Sequence, residues 1–532
     1  MKSFPLLFGA LMVTTFLQAQ LVTGDDIAVA NTENGQVRGY IHNTIFTYKG
    51  IPYAEAKRFE TPGKPQPWTG IRSSMTYGPV APLVDPTTTV MDESEFVFHH
   101  DWGYTSEDCM RLNIWTPALD GKKRPVLFWM HGGGFTAGSS QELPSYDGES
   151  LAKSGNVVVV SINHRLNILG FLDLSAYGDP FKTSANNSIL DLVMALQWVR
   201  DNISNFGGDP GNVTIFGQSG GGAKVNTLMA MPMAKGLFHK AINQSGAIRS
   251  DMFEKPVTQA IGAAVLEELG IAPGEVAKIQ EIPFDLLAAA GKKALKRVEN
   301  QLKAEGKPIS VFGLNWGPSV NDEVLPYQLF SDQAMDLSRD IPLLIGTVKN
   351  EFMASLGSGM THATLAEVEA LIKQQRGEKA EAFLAAVREA FPNPSMPSDL
   401  MDVDVLFRPG AVFQADTKSA IKGGAPVYMY LFAWQSPVMD GKYKAVHCME
   451  LPFVFNNIAR CEEMTGGRPE AYTLANRISQ AWIQFARTGN PNHAGLPGWG
   501  SYTQANGTTM FFDNECTIRH HHDQALLKLI QP

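Results

Sequence analysis

Apolar residues fall along this chain in two rhythms. Short unbroken runs, such as residues 126–130 (VLFWM) and 341–345 (IPLLI), have the length and content of buried parallel strands. Longer stretches carry apolar residues at helical spacing. Residues 188–200 form one such helix, and 471–488 another that ends at the Gly489-Asn490-Pro491 stop signal. Residues 272–307 and 364–391 have the same spacing and look like inserted helices. Strands and helices alternate between residues 125 and 344, whereas 23–58 looks like an antiparallel sheet. No internal repeat or low-complexity linker divides the chain, so residues 20–532 are expected to be one large α/β unit.

Composition narrows the class. The 532 residues are 44% hydrophobic, enough for a sizeable core. The formal net charge of −9 and the absence of a basic patch argue against a nucleic-acid partner. No stretch reaches the roughly 18 apolar residues of a membrane span. Residues 1–19 place Lys2 before a short apolar run and end at Ala19, the pattern of a signal peptide. Export from a bacterium to the periplasm or the medium is therefore expected. Four cysteines, Cys109, Cys448, Cys461 and Cys516, do not fix the redox compartment, and Cys448 could pair with Cys461. His520, His521 and His522 are adjacent, but no carboxylate or cysteine spacing completes a metal site.

Residues 213–222 (VTIFGQSGGG) carry the most specific chemistry. Gly217, Ser219 and Gly221 fit the G-x-S-x-G nucleophile elbow of α/β-hydrolases, a strained turn that exposes a serine between strand and helix. A glycine-rich structural turn is the plain alternative. A phosphate-binding loop is not, because Ala223, Lys224 and Val225 break its G-K-[ST] ending. Upstream, residues 131–135 (HGGGF) follow a strand-like run. Consecutive glycines let backbone N–H groups approach a tetrahedral carbon, as an oxyanion hole requires.

These segments occur in order with residues 48–54 (YKGIPYA), Arg58-Phe59, 67–70 (PWTG), 106–113 (SEDCMRLN), 163–165 (NHR), 169–171 (LGF), Trp198-Val199 and 206–210 (FGGDP). Together they resemble the type-B carboxylesterases, a family that includes cholinesterases and para-nitrobenzyl esterases. The resemblance spans nearly the whole chain after residue 19. It implies an α/β-hydrolase fold: a large, mostly parallel mixed sheet flanked by helices, a small N-terminal antiparallel sheet, and helical insertions over the active site. It also implies a Ser-Glu-His triad. Residues 346–351 (GTVKNE) match the family's acid loop and give Glu351; residues 445–455 (AVHCMELPFVF) match its histidine segment and give His447. Ser219 is then the nucleophile, and Gly133, Gly134 and Gly220 supply the oxyanion hole.

Glu450 is a competing acid, but three residues from His447 it cannot easily reach the far ring nitrogen. Arg165 with Asp191, and Arg58 with Glu107, match positions that form buried ion pairs in the family. Trp198 is read as a core residue. No metal or organic cofactor is implied, and the partner is a small-molecule ester. Two departures bear on substrate. Gln218 replaces the usual glutamate before the nucleophile, and Gly220 the usual alanine. Without that glutamate the case for choline esters weakens, and no tryptophan aligns firmly with the cholinesterase cation site, although Trp102 lies in the interval. Some relatives of this fold are adhesion proteins lacking triad residues, so a binding module is the alternative.

Overall fold

A computed structural model describes residues 21–84, 93–248, 251–310, 312–321 and 323–530. The expected signal sequence, residues 1–19, lies outside them. At the centre is an eleven-stranded mixed sheet. In chain order its strands are β1 (Tyr40–His42), β2 (Ile45–Pro52), β3 (Arg111–Thr116), β4 (Arg124–Met130), β5 (Val158–Ile162) and β6 (Gly208–Gln218). They continue with β7 (Lys240–Gln244), β8 (Leu343–Val348), β9 (Val427–Phe432), β10 (Thr508–Phe512) and β11 (Thr517–His520). Across the sheet the order is β11-β10-β9-β8-β7-β6-β4-β5-β3-β2-β1. From β10 to β5 every neighbour is parallel; β11 at one edge, and β3, β2 and β1 at the other, are antiparallel.

The apolar runs of the sequence are the parallel strands. Crossover helices cover both faces of such strands, so β5, β8 and β9 are buried at every position. The helices follow the other rhythm. Pro469–Thr488 buries Ala471, Leu474, Ala475, Ile478, Trp482 and Phe485 along one stripe. It closes on Gly489 at φ 76°, the left-handed residue a helix end favours. Asn187–Asn202 buries Trp198 in the core. Two inserted regions are helical as the spacing predicts. Residues 273–304 form short 3-10 turns and then the helix Phe284–Ala304, whose Leu287, Ala290 and Ala294 share a buried apolar cluster with Ile168 and Leu169. Leu365–Arg376 starts with a Thr364/Glu367 capping box and is followed by Ala380–Ala390.

The N-terminal segment divides differently from the expectation. Val29–Thr32 and Gly35–Arg38 pair antiparallel in a separate small sheet, whose third strand, Ile71–Ser73, runs parallel to Gly35–Arg38. Residues 40–52 instead extend the main sheet. Ile71–Ser73 is exposed throughout, so it has no apolar alternation for the sequence to reveal.

The ion pairs also differ from each other. Arg165 and Asp191 are buried and joined at 2.6 Å, where removing one partner would strand a charge. Arg58 pairs with Glu107, but the glutamate side chain is about one-third exposed (35%). All four cysteines are free thiols, so Cys448 and Cys461 are not linked.

Candidate active site

The carboxyl ends of β4, β6, β8 and β9 lead into the segments that carry the candidate residues. Ser219 follows β6 directly, at φ 57° and ψ −124°, and the helix Gly220–Met229 starts one residue later. Its N–H donates to the Gln244 carbonyl at 2.8 Å. The flanking glycines have no room to be anything else. A Cβ on Gly217 would sit 2.4 Å from the Gly221 carbonyl carbon, and one on Gly221 would sit 2.0 Å from Met130 O. Beneath the elbow, Phe216 packs on Trp129 at 4.9 Å, and Phe455 meets Trp129 edge-on at 5.0 Å. That cluster ties the elbow strand to the segment bearing His447.

The glycine loop after β4 closes over the serine. Gly133 and Gly134 have φ of 79° and 61°. An ideal Cβ on Gly132 would lie 3.5 Å from Ser219 Cβ. The Gly133 carbonyl accepts from the N–H groups of Ala137 and Thr136, at 3.0 and 3.2 Å. Among the described residues, the N–H groups of Gly133, Gly134 and Gly220 donate to no protein acceptor.

His447 and Glu351 are in contact twice. Their side chains meet at 2.5 Å between Nδ1 and Oε2, and the His447 N–H donates to the Glu351 carbonyl at 3.1 Å. The other Glu351 oxygen accepts the Val348 N–H at 3.0 Å. Phe407 stacks on the imidazole at 5.2 Å, and Phe352 lies at 4.8 Å. Burial disfavours imidazolium, but the charge and hydrogen bond of Glu351 favour it, helped by Glu450 and Asp404. The net effect raises the His447 pKa above its ordinary value.

Glu450 does not touch the ring. Its Oε1 accepts from Gln244 at 3.1 Å, and burial together with the Glu351 charge pushes its pKa up to about 7. Asp404 is the carboxylate that sequence reasoning missed. Burial and Glu351 raise it likewise to about 7, while it accepts the N–H groups of Leu406, Phe407 and Arg408. Phe352 and Phe407 were missed as well. Phe352 could have been flagged as a bulky residue placed next to the candidate acid; Asp404 and Phe407 have no spacing signal linking them to His447.

Among the described residues no hydrogen bond joins Ser219 Oγ to the His447 ring. The carboxamide nitrogen of Gln218 approaches instead, 3.3 Å from Nδ1 and 3.2 Å from Nε2. Its oxygen accepts from the Cys448 thiol at 3.2 Å. Trp102 stacks on His100 at 4.5 Å, and His100 is held by Glu95 at 2.7 Å.

Comparison with known proteins decides the family. Residues 26–529 match the profile described as the carboxylesterase family. The chain belongs to that family. This carboxylesterase is 36% identical to the para-nitrobenzyl esterase of Bacillus subtilis (strain 168), covering 92% of its own length and 96% of the relative's. It is 32% identical to the phenmedipham hydrolase of Pseudarthrobacter oxydans, over 89% and 92% of the two chains. Among solved structures, an esterase from Clostridium hathewayi that can hydrolyse aliphatic aromatic polyesters superposes with a TM-score of 0.83. That pair is 37% identical, covering 96% and 99% of the chains. The carboxylesterase is accordingly a carboxylic ester hydrolase on the α/β-hydrolase fold, and among its described residues no helix is long and apolar enough to cross a membrane.

Proposed function

We propose that this enzyme hydrolyses neutral carboxylic esters through an acyl-enzyme on Ser219, with His447 as general base and Glu351 as its orienting acid. The observation that carries the reading is the 2.5 Å contact between His447 Nδ1 and Glu351 Oε2, beside a serine held at positive φ on a strand-to-helix turn. A hydroxyl is a weak nucleophile at neutral pH and needs an imidazole to take its proton. With Nδ1–H donated to Glu351, Nε2 carries the free lone pair; in the free enzyme it faces the Gln218 carboxamide nitrogen at 3.2 Å, and that contact must give way for Nε2 to take the Ser219 proton. Catalytic hydrogen bonds that are long in the free enzyme tighten when substrate binds.

In the reaction, Ser219 Oγ attacks the ester carbonyl as His447 takes the proton. Charge on the tetrahedral intermediate falls to the free N–H groups of Gly133, Gly134 and Gly220. The imidazolium, stabilised by Glu351, then protonates the departing alcohol. Water repeats the sequence on the acyl-enzyme. Gln218 puts an amide, not a charge, beside the nucleophile, which supports neutral over choline esters. The signal-like residues 1–19 support export before the enzyme acts.

Covalent labelling tests the assignment. A fluorophosphonate should label the protein stoichiometrically, and Ser219→Ala should abolish labelling and lower turnover by about six orders of magnitude in a folded protein. Labelling at another residue, or a tenth of the activity retained, would remove Ser219 from the role. A non-catalytic binding protein would give no labelling at all.

A further inference from the structure

One buried cation is left unused by this chemistry. Lys224, on the helix that the elbow starts, is fully buried, with 0% exposure. Its Nζ donates to the His131 carbonyl at 3.0 Å, and among the described residues no carboxylate lies within ion-pair distance of it. A buried ammonium with one carbonyl partner is costly to keep, so its contact calls for a reason.

The reason lies in the next peptides. Each candidate oxyanion N–H belongs to a peptide whose carbonyl, on its other side, is itself hydrogen-bonded. The Gly133 N–H shares a peptide with the Gly132 carbonyl, which accepts from His131 Nδ1 at 2.9 Å. The Gly134 N–H shares one with the Gly133 carbonyl, held by Ala137 and Thr136. The His131 carbonyl, held by Lys224, belongs to the peptide immediately before these two. Hydrogen bonds to a carbonyl fix its peptide plane and polarise the opposite N–H. Three successive peptides are therefore clamped, and the first clamp is the lysine.

We propose that Lys224 is a positioning residue for the oxyanion hole: by donating to the His131 carbonyl it fixes the loop from which the Gly133 and Gly134 N–H groups are presented. This rests on the reading that those amides bind the oxyanion. Four groups set the lysine's environment: Glu142 supplies an attractive charge, His131 and His164 are buried imidazoles, and the Phe135 ring lies 5.8 Å from Nζ. Burial lowers the Lys224 pKa to about 7 against the pull of Glu142. The same burial, with Lys224 nearby, keeps both histidines neutral. Charge-assisted donors are roughly twice as strong as neutral ones. The clamp is thus strongest when Lys224 is protonated and weakens as pH rises through its pKa.

The test compares Lys224→Met and Lys224→Gln with the unmodified enzyme. An alkyl trifluoromethyl ketone, which forms a tetrahedral oxyanion on the serine, serves as probe. Losing one oxyanion donor outright costs about 10²–10³ in turnover, so a loosened loop in Lys224→Met should cost about 10- to 100-fold in kcat with KM nearly unchanged. The ketone's inhibition constant should rise by a matching factor, while product inhibition stays constant. Lys224→Gln, whose amide still donates to the carbonyl, should recover part of the loss. In unmodified enzyme kcat should decline on the alkaline side of neutrality, and in Lys224→Met that limb should vanish. Unchanged ketone affinity in folded Lys224→Met overturns the proposal, as does a folded Lys224→Gln that binds the ketone no better than Lys224→Met. If Ser219→Ala binds the ketone as well as the unmodified enzyme does, the nucleophile assignment falls instead.

Discussion

Restoring the family's usual alanine after the nucleophile should damage this enzyme. An ideal Cβ on Gly220 would lie 2.2 Å from Gly134 O, 2.4 Å from Gly134 Cα and 2.5 Å from Gly134 N. Ordinary van der Waals contact begins near 3.4 Å. The glycine loop must therefore retreat by about 1 Å, a displacement that can by itself cost about 10² in rate when it misplaces a reacting group. The backbone groups it would strike belong to Gly134, whose N–H is one of the proposed oxyanion donors, and losing such a donor costs a further comparable factor, about 10²–10³. Against this, alanine favours helix over glycine by about 1 kcal/mol, and Gly220 is the first residue of a helix. Stability and activity should separate. Gly220→Ala should melt within a few degrees of the parent and lose about 10²-fold or more in kcat on a para-nitrophenyl ester, with KM changing less. Thermal melting and steady-state kinetics on the same preparation decide it. A variant with kcat within threefold of the parent would mean that the loop relaxes without cost, and that the close approach of Gly134 to Gly220 plays no part in catalysis.

The two acids beside His447 should respond differently: Glu351→Gln should cost about 10⁴ in kcat, because the imidazole loses its orienting carboxylate. Glu450→Gln should cost far less, since Glu450 bonds Gln244 and not the ring; the reverse order in folded variants would exchange their roles. Because Glu351 raises the His447 pKa and only neutral imidazole accepts a proton, acylation should fall as pH drops through a midpoint above about 6.5. Stopped-flow acylation from pH 5 to 9 reads this directly, and a flat profile refutes a histidine base. Gln218→Glu should move that midpoint upward, because a carboxylate would replace an amide within 3.3 Å of both ring nitrogens. It should also shift the ratio of specificity constants toward a choline ester over a neutral ester of the same acid. A parent enzyme that prefers the choline ester contradicts the neutral-substrate reading, and equal loss on both esters would make Gln218 a structural residue.

What could be read in advance depended on whether a constraint acts locally. Gly217 and Gly221 are legible because the turn crowds each position, so residue type records the backbone. The Pro469–Thr488 helix is legible because its buried stripe and its glycine stop are both local. Glu351 and His447 were reached through family resemblance, since 96 residues separate them and no spacing rule brings them into contact. Asp404 was invisible for a related reason. Its influence on His447 comes from burial beside Glu351, a proximity created only when the segment ahead of Phe407 packs against the loop after β8. Lys224 was read only as a break in a phosphate-loop pattern. Its meaning depends on which carbonyl lies above it. The parallel strand Ile71–Ser73 shows the same limit for the fold, because an exposed three-residue strand is defined wholly by its partner.

The backbone of Ser219 carries a consequence for heredity. A non-glycine residue at φ 57° and ψ −124° stores strain of about 1–3 kcal/mol, of the kind found at functional sites. Glycine would sit there with little penalty, so the position is one where folding and chemistry ask for different residues. On the proposed role for Ser219, a lineage that no longer needed the nucleophile would gain stability by exchanging it for glycine, whereas any other side chain would inherit the same backbone strain. On that reading the strain makes the serine a record of use: selection for a durable fold favours glycine there, and selection for turnover keeps the serine.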